Sequence, residues 1–450
     1  MSISKFVLAA LVVAIGLNES LSACPFCSQV AQTLSEEMET MDAVVIAELA
    51  AKPPASDPDS NEIPRAKFKI TKIVRGQAAI KVTEVEALYF GDGEKGDSFL
   101  IMAIDPSDLQ WTTPLRLTSD GVEYVTKILS LPKGSERLKF FQNHLEDSNE
   151  LMARDAYDEF AKAPYEQIVE LKPDMDHGQL IAWINDPTVP ASRRRLYFTM
   201  LGVCGSNADL PMLESLMKSS NRKHRSGLDA LVACYLTLHG EKGLGLVEDL
   251  FLKNTSADYA DIYQTIMALR FHVSETDAVK RERLLGSFRL MLDRPRLADL
   301  VVPDLTRWED WSQIDKLVGL FKSADEKSSW VRVPVINYLR ACPLPEAEKH
   351  LRILEKLDPK AAKRARIFYP QVSPGDTGDA KTSQVSPTRS RRKLSQQVAV
   401  ASTDLHAIAT GQSLPNKFTL AVVPFVLAGA LMFTMWTLLR GSSATYRRRG

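Results

Sequence analysis

The chain of 450 residues carries 56 Lys and Arg against 56 Asp and Glu, so its formal net charge is zero and no global field draws it to nucleic acid or to an acidic substrate. With 45% hydrophobic and 25% charged residues the composition is that of an ordinary globular protein, and the length predicts two or three domains with ample core. Five cysteines are an odd number, which matters if the compartment is oxidising.

The first residues read as an export signal. Met1 to Lys5 carries one positive charge, Phe6 to Leu17 is apolar, and Asn18-Glu19-Ser20 leads to Leu21-Ser22-Ala23-Cys24. The apolar core is too short to span a bilayer comfortably, so residues 1–23 are expected to be removed. Leu21-Ser22-Ala23-Cys24 also resembles a bacterial lipobox, which makes lipidation of Cys24 one alternative and plain cleavage before it the other.

Cys24-Pro25-Phe26-Cys27 is the sharpest local motif. A pair at this spacing can close a local disulfide, or cycle between dithiol and disulfide if one thiol is acidified. Its place at the mature N-terminus, outside any βαβ unit, favours a structural disulfide, leaving Cys204, Cys234 and Cys342 as buried thiols in apolar helices. Ser28 stands where a haem-attachment motif needs histidine, and one pair without nearby histidines makes a poor zinc site. No metal and no cofactor is expected.

Residues 28–41 read as a short helix. Strand patterns follow at Asp42 to Leu49, Arg65 to Val74, Ile80 to Phe90 and Ser98 to Ile104, with a fifth at Pro114 to Thr118. Alternation places Lys67 and Lys69 outward and Phe68 and Ile70 inward. Prolines 53, 54 and 58, Gly76 and the Asp92-Gly93…Gly96 loop separate the strands. No helix-length crossover lies between them, so a small antiparallel barrel is predicted over 24–130.

From Ser135 the period turns helical. Leu138, Phe141 and Leu145 share a face, as do Met152, Ala156 and Phe160, then Leu228, Leu231, Val232, Tyr235 and Leu238, then Ile262, Ile266 and Leu269. Further helices are predicted at 191–204, 208–218, 242–252, 278–292, 312–322 and 345–357, with Pro190, Gly205, Gly240 and Pro345 as boundary signals. Ten to twelve helices without strands imply stacked antiparallel pairs over 131–369, a degenerate solenoid or an irregular bundle, because no fixed repeat period is evident. The basic runs Arg193-Arg194-Arg195 and Arg391-Arg392-Lys393 read as solvated faces.

Residues 370–417 hold no Phe, Tyr or Trp and are rich in Ser, Thr, Gln, Pro and Ala, the composition of a disordered stalk. Phe418 to Leu439 is an uncharged run of about 22 residues, roughly 33 Å as a helix, enough to cross a hydrocarbon core of about 30 Å. The tail 440–450 carries Arg440, Arg447, Arg448 and Arg449, which by the positive-inside rule sets the C-terminus in the cytoplasm and everything before Lys417 outside. Leu414-Pro415 before the span also suggests a cell-surface sorting signal, although Asn416-Lys417 departs from the Thr-Gly ending such signals carry.

The β segment resembles a netrin-like module of the kind found in tissue inhibitors of metalloproteinases, an OB-type barrel. Cys24, Cys27, Asp42 to Ala47, Phe68-Lys69-Ile70, Val74-Arg75-Gly76, Gly96 and Phe99 to Ala103 carry the resemblance, over about residues 24–110. The family spaces its first cysteines by one residue where this chain has two, and Thr40 stands where a further cysteine would precede the first strand. What the resemblance implies about activity is zinc chelation of a metalloprotease by a free Cys24 amine and carbonyl. The helical part resembles HEAT-like repeats, and the whole order resembles families of exported bacterial membrane-anchored proteins, which bring no activity with them.

Other candidates have structural readings. Asp174, Asp176 and His177 could ligate a metal, but Asp176 reads as a helix cap. His239 and His272 fall near helix C-termini, where the dipole favours protonated imidazole. Trp308 and Trp311, with Glu309 and Asp310, read as core and cap. Gly91 to Gly96 precedes a strand and so lacks the helix amides of a phosphate loop. The chain contains no His-Glu-x-x-His, Gly-x-Ser-x-Gly, Walker or dinucleotide fingerprint. The expectation is therefore an α+β multidomain, non-enzymatic interaction protein or envelope scaffold with an unknown envelope protein as partner. A thiol-redox or metal-handling protein acting through Cys24 and Cys27 is the first alternative, and a metalloprotease-regulating module the second.

Overall fold

The computed structural model describes Phe26 and residues 32–53 and 65–368. Helix α1 (Leu34–Thr40) opens on a capping box: the Thr33 hydroxyl accepts from Glu36 N, and the Glu36 carboxylate accepts from Thr33 N. Six antiparallel strands follow, β1 (Ala43–Ala51), β2 (Arg65–Arg75), β3 (Glu84–Leu88), β4 (Ser98–Ile104), β5 (Gln110–Trp111) and β6 (Leu115–Leu117). Their order is β3-β2-β1-β4, with the short β5 and β6 sharing the free edge of β4 at Ala103–Ile104 and Ser98–Leu100. The sheet therefore has five ladder positions and curls into a nearly closed barrel, as the sequence predicts. The predicted third strand is shorter, and β5 was not anticipated because two residues carry no period.

Strands β1 and β4 are buried on both faces, which explains why Ala43 to Ala47 and Phe99 to Ala103 read as continuous apolar runs. One face, with Ala43, Val45, Ala47, Phe99 and Ile101, lines the barrel interior around Phe68, Tyr89 and Phe99. These three rings meet edge to face at 5.2–5.7 Å. The other face, with Val44, Ile46, Leu100 and Met102, joins the core of the helices. Strand β2 has one face in solvent, hence the alternation of exposed Lys67 and Lys69 with buried Phe68. It ends at Gly76, whose φ of +81° favours glycine and whose missing Cβ would stand 2.1 Å from Asp42 O.

Sixteen α-helices follow among the described residues, more than the ten to twelve predicted. The first is α2 (Ser119–Ile128), sixteen positions before the predicted change of period. Its start, Ser119-Asp120-Gly121, looks like a loop in sequence, but Thr118 caps it by accepting from Gly121 N, and Tyr124, Val125 and Ile128 are buried. Then come α3 (Ser135–Gln142), α4 (Glu150–Lys162), α5 (Tyr165–Glu170), α6 (His177–Asn185), α7 (Ala191–Cys204), α8 (Leu210–Lys218) and α9 (Leu228–His239). Helix α10 (Leu244–Val247) runs into a π turn at Glu248–Leu252, and α11 (Tyr259–Ser274), α12 (Arg281–Leu290), α13 (Val302–Arg307) and α14 (Ile314–Ser323) continue the series. The last three are α15 (Arg332–Ala341), α16 (Pro345–Leu357) and α17 (Pro359–Phe368). Helices α7, α9 and α11 pack side by side in one row; α13, α15 and α17 form another. Among the described residues no helix is long and apolar enough to cross a membrane; the predicted signal peptide, stalk and span lie outside them.

The Arg193-Arg194-Arg195 run is not a solvated face. Successive residues on a helix point about 100° apart, and α7 is covered on several sides, so each arginine meets a different neighbour. Arg193 donates to Glu146 and Glu150 at 3.2 and 2.9 Å, Arg194 to Lys223 O and His224 O, and Arg195 to Asp229 at 2.8 Å. Arg194 is 5% exposed. A spacing also recurs that the apolar pattern does not show: Arg195–Asp229, Arg222–Asp258 and Arg270–Asp304 are separated by 34, 36 and 34 residues. Each ties one helix layer to the next.

Candidate functional site

Cys24, Cys27 and the topology-setting Arg440, Arg447, Arg448 and Arg449 lie outside the described residues. Phe26, between the two cysteines, is described, and it is 6% exposed. Its ring lies 4.9 Å from Phe271 on α11, which in turn meets Tyr165 of α5 edge-on at 5.1 Å and His272 at 5.2 Å. Phe26 is thus anchored in the helical core, not on the barrel it precedes in sequence. No period marks this contact, which joins residues 245 positions apart.

The seat is apolar with one polar device beneath it. His272 is 1% exposed. Its Nε2 lies 3.1 Å from Ala233 O, which can only accept, so Nε2 carries the proton; Nδ1, 2.7 Å from Thr276 Oγ1, then accepts from the hydroxyl. Both nitrogens are satisfied in the neutral ring, and burial pushes the pKa down to about 4. The dipole-based expectation of a protonated His272 is therefore corrected: desolvation outweighs a helix end. His239 does close α9, its ring 5.5 Å from Tyr235.

Cys234, next to Ala233, is 2% exposed, and Gly202 of α7 lets the two backbones approach: a Cβ there would lie 3.5 Å from Cys234 Cα. Burial, with the nearby Asp209 and Cys204 adding, holds the Cys234 thiol well above its ordinary value. Burial raises Cys204 and Cys342 too. All three are free thiols, Cys204 half-buried and the others buried. Low thiolate content makes them poor nucleophiles. Near the same seat, burial lifts the Tyr165 phenol to about 12.

A second cluster fixes α1 to the helices. Asp155 of α4, 5% exposed, accepts from Leu34 N at 2.6 Å and from the Tyr124 hydroxyl at 2.7 Å. Burial raises its pKa to about 6 in spite of these donors. One turn on, Glu159 accepts from Nε and Nη2 of Arg137, each at 2.8 Å, and from the Ser35 hydroxyl at 2.6 Å, which hold it below the usual carboxylate range although burial opposes them. Lys162 completes the face by pairing with Glu36. Sequence reasoning missed this cluster; its signal was the i, i+4 pair Asp155 and Glu159 on one helix face.

The remaining candidates do not converge. Asp174 pairs with Lys139, Asp176 caps α6 by accepting from Gln179 N at 3.0 Å, and His177 Nε2 meets Asp209 at 2.9 Å. Trp308 packs on Phe288 and Trp311 on Tyr338, while Asp310 accepts from Ser312 N and Arg289, the core and cap roles predicted. The Gly91–Gly96 loop leads into β4, with Gly93 N donating to the Tyr89 hydroxyl. Among the described residues no group of three His, Cys, Asp or Glu could hold a metal. An open recess of about 590 Å³ beside the end of α9 is lined by Asn207, Leu210, Leu238, His239, Glu241 and Lys242. It is large enough for a small molecule but too exposed to bury one.

Compared with known proteins, the chain matches no protein family, no curated protein and no solved structure.

Proposed function

We propose that the chain is an exported, single-pass membrane protein that works as a non-enzymatic scaffold for an envelope protein. In this reading a netrin-like or OB-like barrel and HEAT-like helices stand outside the membrane on a stalk over 370–417, the span is Phe418–Leu439, and the Arg-rich tail is cytoplasmic. The observation that carries it is the contrast between buried and exposed side chains of α11. Its buried side supplies Phe271 and His272 to the core, and Arg270 is spent on Asp304 of α13. Its outer side leaves Tyr259 and Tyr263 57% and 42% exposed, stacked with ring centres 6.3 Å apart. Exposed, pre-organised tyrosines are typical anchors of protein interfaces.

A photo-crosslinking residue at Gln264, beside the tyrosine pair, tests this in intact cells. The scaffold reading expects one discrete envelope partner, lost in a Tyr259→Ser/Tyr263→Ser variant. Crosslinks that are absent, or unchanged in that variant, would sink it.

Thiol-redox or metal handling through Cys24 and Cys27 is the second reading, supported by the buried position of Phe26, which stands between them in sequence. It predicts a readily reduced disulfide whose loss in a Cys24→Ser/Cys27→Ser chain produces a thiol or metal phenotype. A change in folding yield alone would leave a structural disulfide. A metalloprotease-regulating role would further require an unacylated Cys24 amine.

A further inference from the structure

The last two helices, α16 and α17, both rest on α15, and their inner sides carry Ala347, Leu354, Ala361 and Ala365. Their outer sides are unusual in combining large apolar groups with lysines. Ile353, Leu357 and Ile367 are 53%, 60% and 62% exposed. At helical spacing between them stand Lys349, Lys356, Lys360 and Lys363, all exposed and without an ion pair among the described residues. Most acids of this region are already used: Glu348 pairs with Arg352, Glu355 with Arg340 and Arg366, and Asp358 with Arg332, which leaves Glu346 unpaired among the described residues. The Arg332–Asp358 contact, 3.0 Å, also brings the start of α15 to the end of α16. Just before α15 sits Trp330, 72% exposed.

We infer that this end of the helical domain is a docking surface for an anionic bilayer. Unpaired lysines interleaved with exposed aliphatic groups and one exposed tryptophan match a lipid interface, where anionic headgroups meet the ammonium groups and the indole sits at headgroup level. An acidic protein would also satisfy the lysines. The bilayer is favoured by where the chain goes next: α17 ends at Phe368, and about 50 residues later the apolar run begins. This part of the inference rests on the membrane-anchored reading above. A coil of about 50 residues has a root-mean-square reach of roughly 40 Å, which keeps the patch at high local concentration over the leaflet. Each basic group near an anionic surface adds about fivefold to the docked population, so a weak patch suffices once tethered.

The test is lysine acetylation of the full chain in lipid nanodiscs, read by mass spectrometry. We expect Lys356, Lys360 and Lys363 to react at least about threefold more slowly in discs of roughly 30% phosphatidylglycerol than in phosphatidylcholine, and the difference to vanish near about 0.5 M salt. Lys69 and Lys242, exposed elsewhere, should not change. A Trp330→Ser/Leu357→Ser chain, altered only at exposed positions, should keep its fold and lose the protection. Equal rates in both discs, with the chain co-purifying with each, overturn the docking surface while leaving the anchor intact. A chain that co-purifies with neither disc overturns the anchor and the inference together. Protection in native membranes that disappears in purified anionic discs overturns the bilayer in favour of a protein partner.

Discussion

His272 gives the fold a measurable pH dependence. The ring is neutral in the folded chain, with Nε2 donating to Ala233 O and Nδ1 accepting from Thr276, and its pKa is about 4 against an unfolded value of about 6.5. Between those values the unfolded chain binds the extra proton, so stability rises with pH there. The contribution is fully present above about pH 6.5 and is lost as pH falls through about 4. A difference of about 2.5 units at about 1.4 kcal/mol each amounts to about 3 kcal/mol. Replacing the ring by the uncharged His272→Gln removes the titration. At pH 7.5 the variant should be less stable by about 1–2 kcal/mol, through poorer hydrogen bonding and packing. On acidification the wild type should lose about 3 kcal/mol relative to the variant, so the two curves cross near about pH 5. Denaturant unfolding of both full chains in nanodiscs at a series of pH values measures this. Parallel curves would refute the neutral, buried imidazole.

Asp155 tilts the other way. Its pKa of about 6 lies above the unfolded value, so the folded chain binds the extra proton, and stability present below about pH 4 is lost as pH rises through 6, by up to about 3 kcal/mol. The Asp155→Asn chain should lack this fall, while the wild type, with His272 opposing, stays nearly flat over pH 4–6.5; an unchanged slope in the variant would contradict the burial argument. Asp304 is almost fully buried and binds Arg270 at 2.7–3.1 Å. Because the guanidinium keeps some water, Asp304→Ala should cost about 2–3 kcal/mol. The double change Arg270→Met/Asp304→Leu should recover most of that, and an additive double-mutant cycle would remove the pair as a layer tie. Gly76→Ala adds a Cβ 2.1 Å from Asp42 O at φ +81°, so a loss of more than about 3 kcal/mol is expected, against about 1–3 kcal/mol for Gly134→Ala, where φ +92° and ψ −158° strain a side chain but nothing lies within 4 Å. Equal losses in thermal unfolding would mean the close approach does not matter.

The barrel was legible because its strands follow their burial. One open face writes the alternation of Lys67, Phe68 and Lys69, and two covered faces write the unbroken runs of β1 and β4. Long helices were equally legible: 191–204 and 345–357 agree with α7 and α16 residue for residue, between Pro190, Gly205 and Pro345. What escaped was of two kinds. Short helices such as α5 and α13 run less than two turns, too little to establish a period. Buried charge was read as solvated, because Arg193 to Arg195 look alike in sequence whether water or three different acceptors surround them. The Phe26 seat escaped for the same reason in apolar form: one phenylalanine near a terminus says nothing about the helix, 245 residues away, that receives it.

The two ends of the helical domain are treated differently, and the difference bears on function. A stack of helices buries each layer against the next and leaves its two end layers in need of a polar or covered face. At the N-terminal end the cover is complete: the outward face of β1 and β4 continues the helical core through Val44, Ile46, Leu100 and Met102, and Asp155, Glu159 and Arg137 clamp α1 across it. At the C-terminal end nothing among the described residues covers Ile353, Leu357 or Ile367, and the cations without an ion pair there are four lysines and Arg364, groups that a diffuse anionic surface can satisfy. An end needing only solubility would carry mixed charge without large aliphatic groups. The N-terminal layer thus has its apolar complement within the described residues, and the C-terminal layer does not. That asymmetry favours the C-terminal layer for the proposed bilayer contact and leaves the tyrosine pair of α11 for a protein partner.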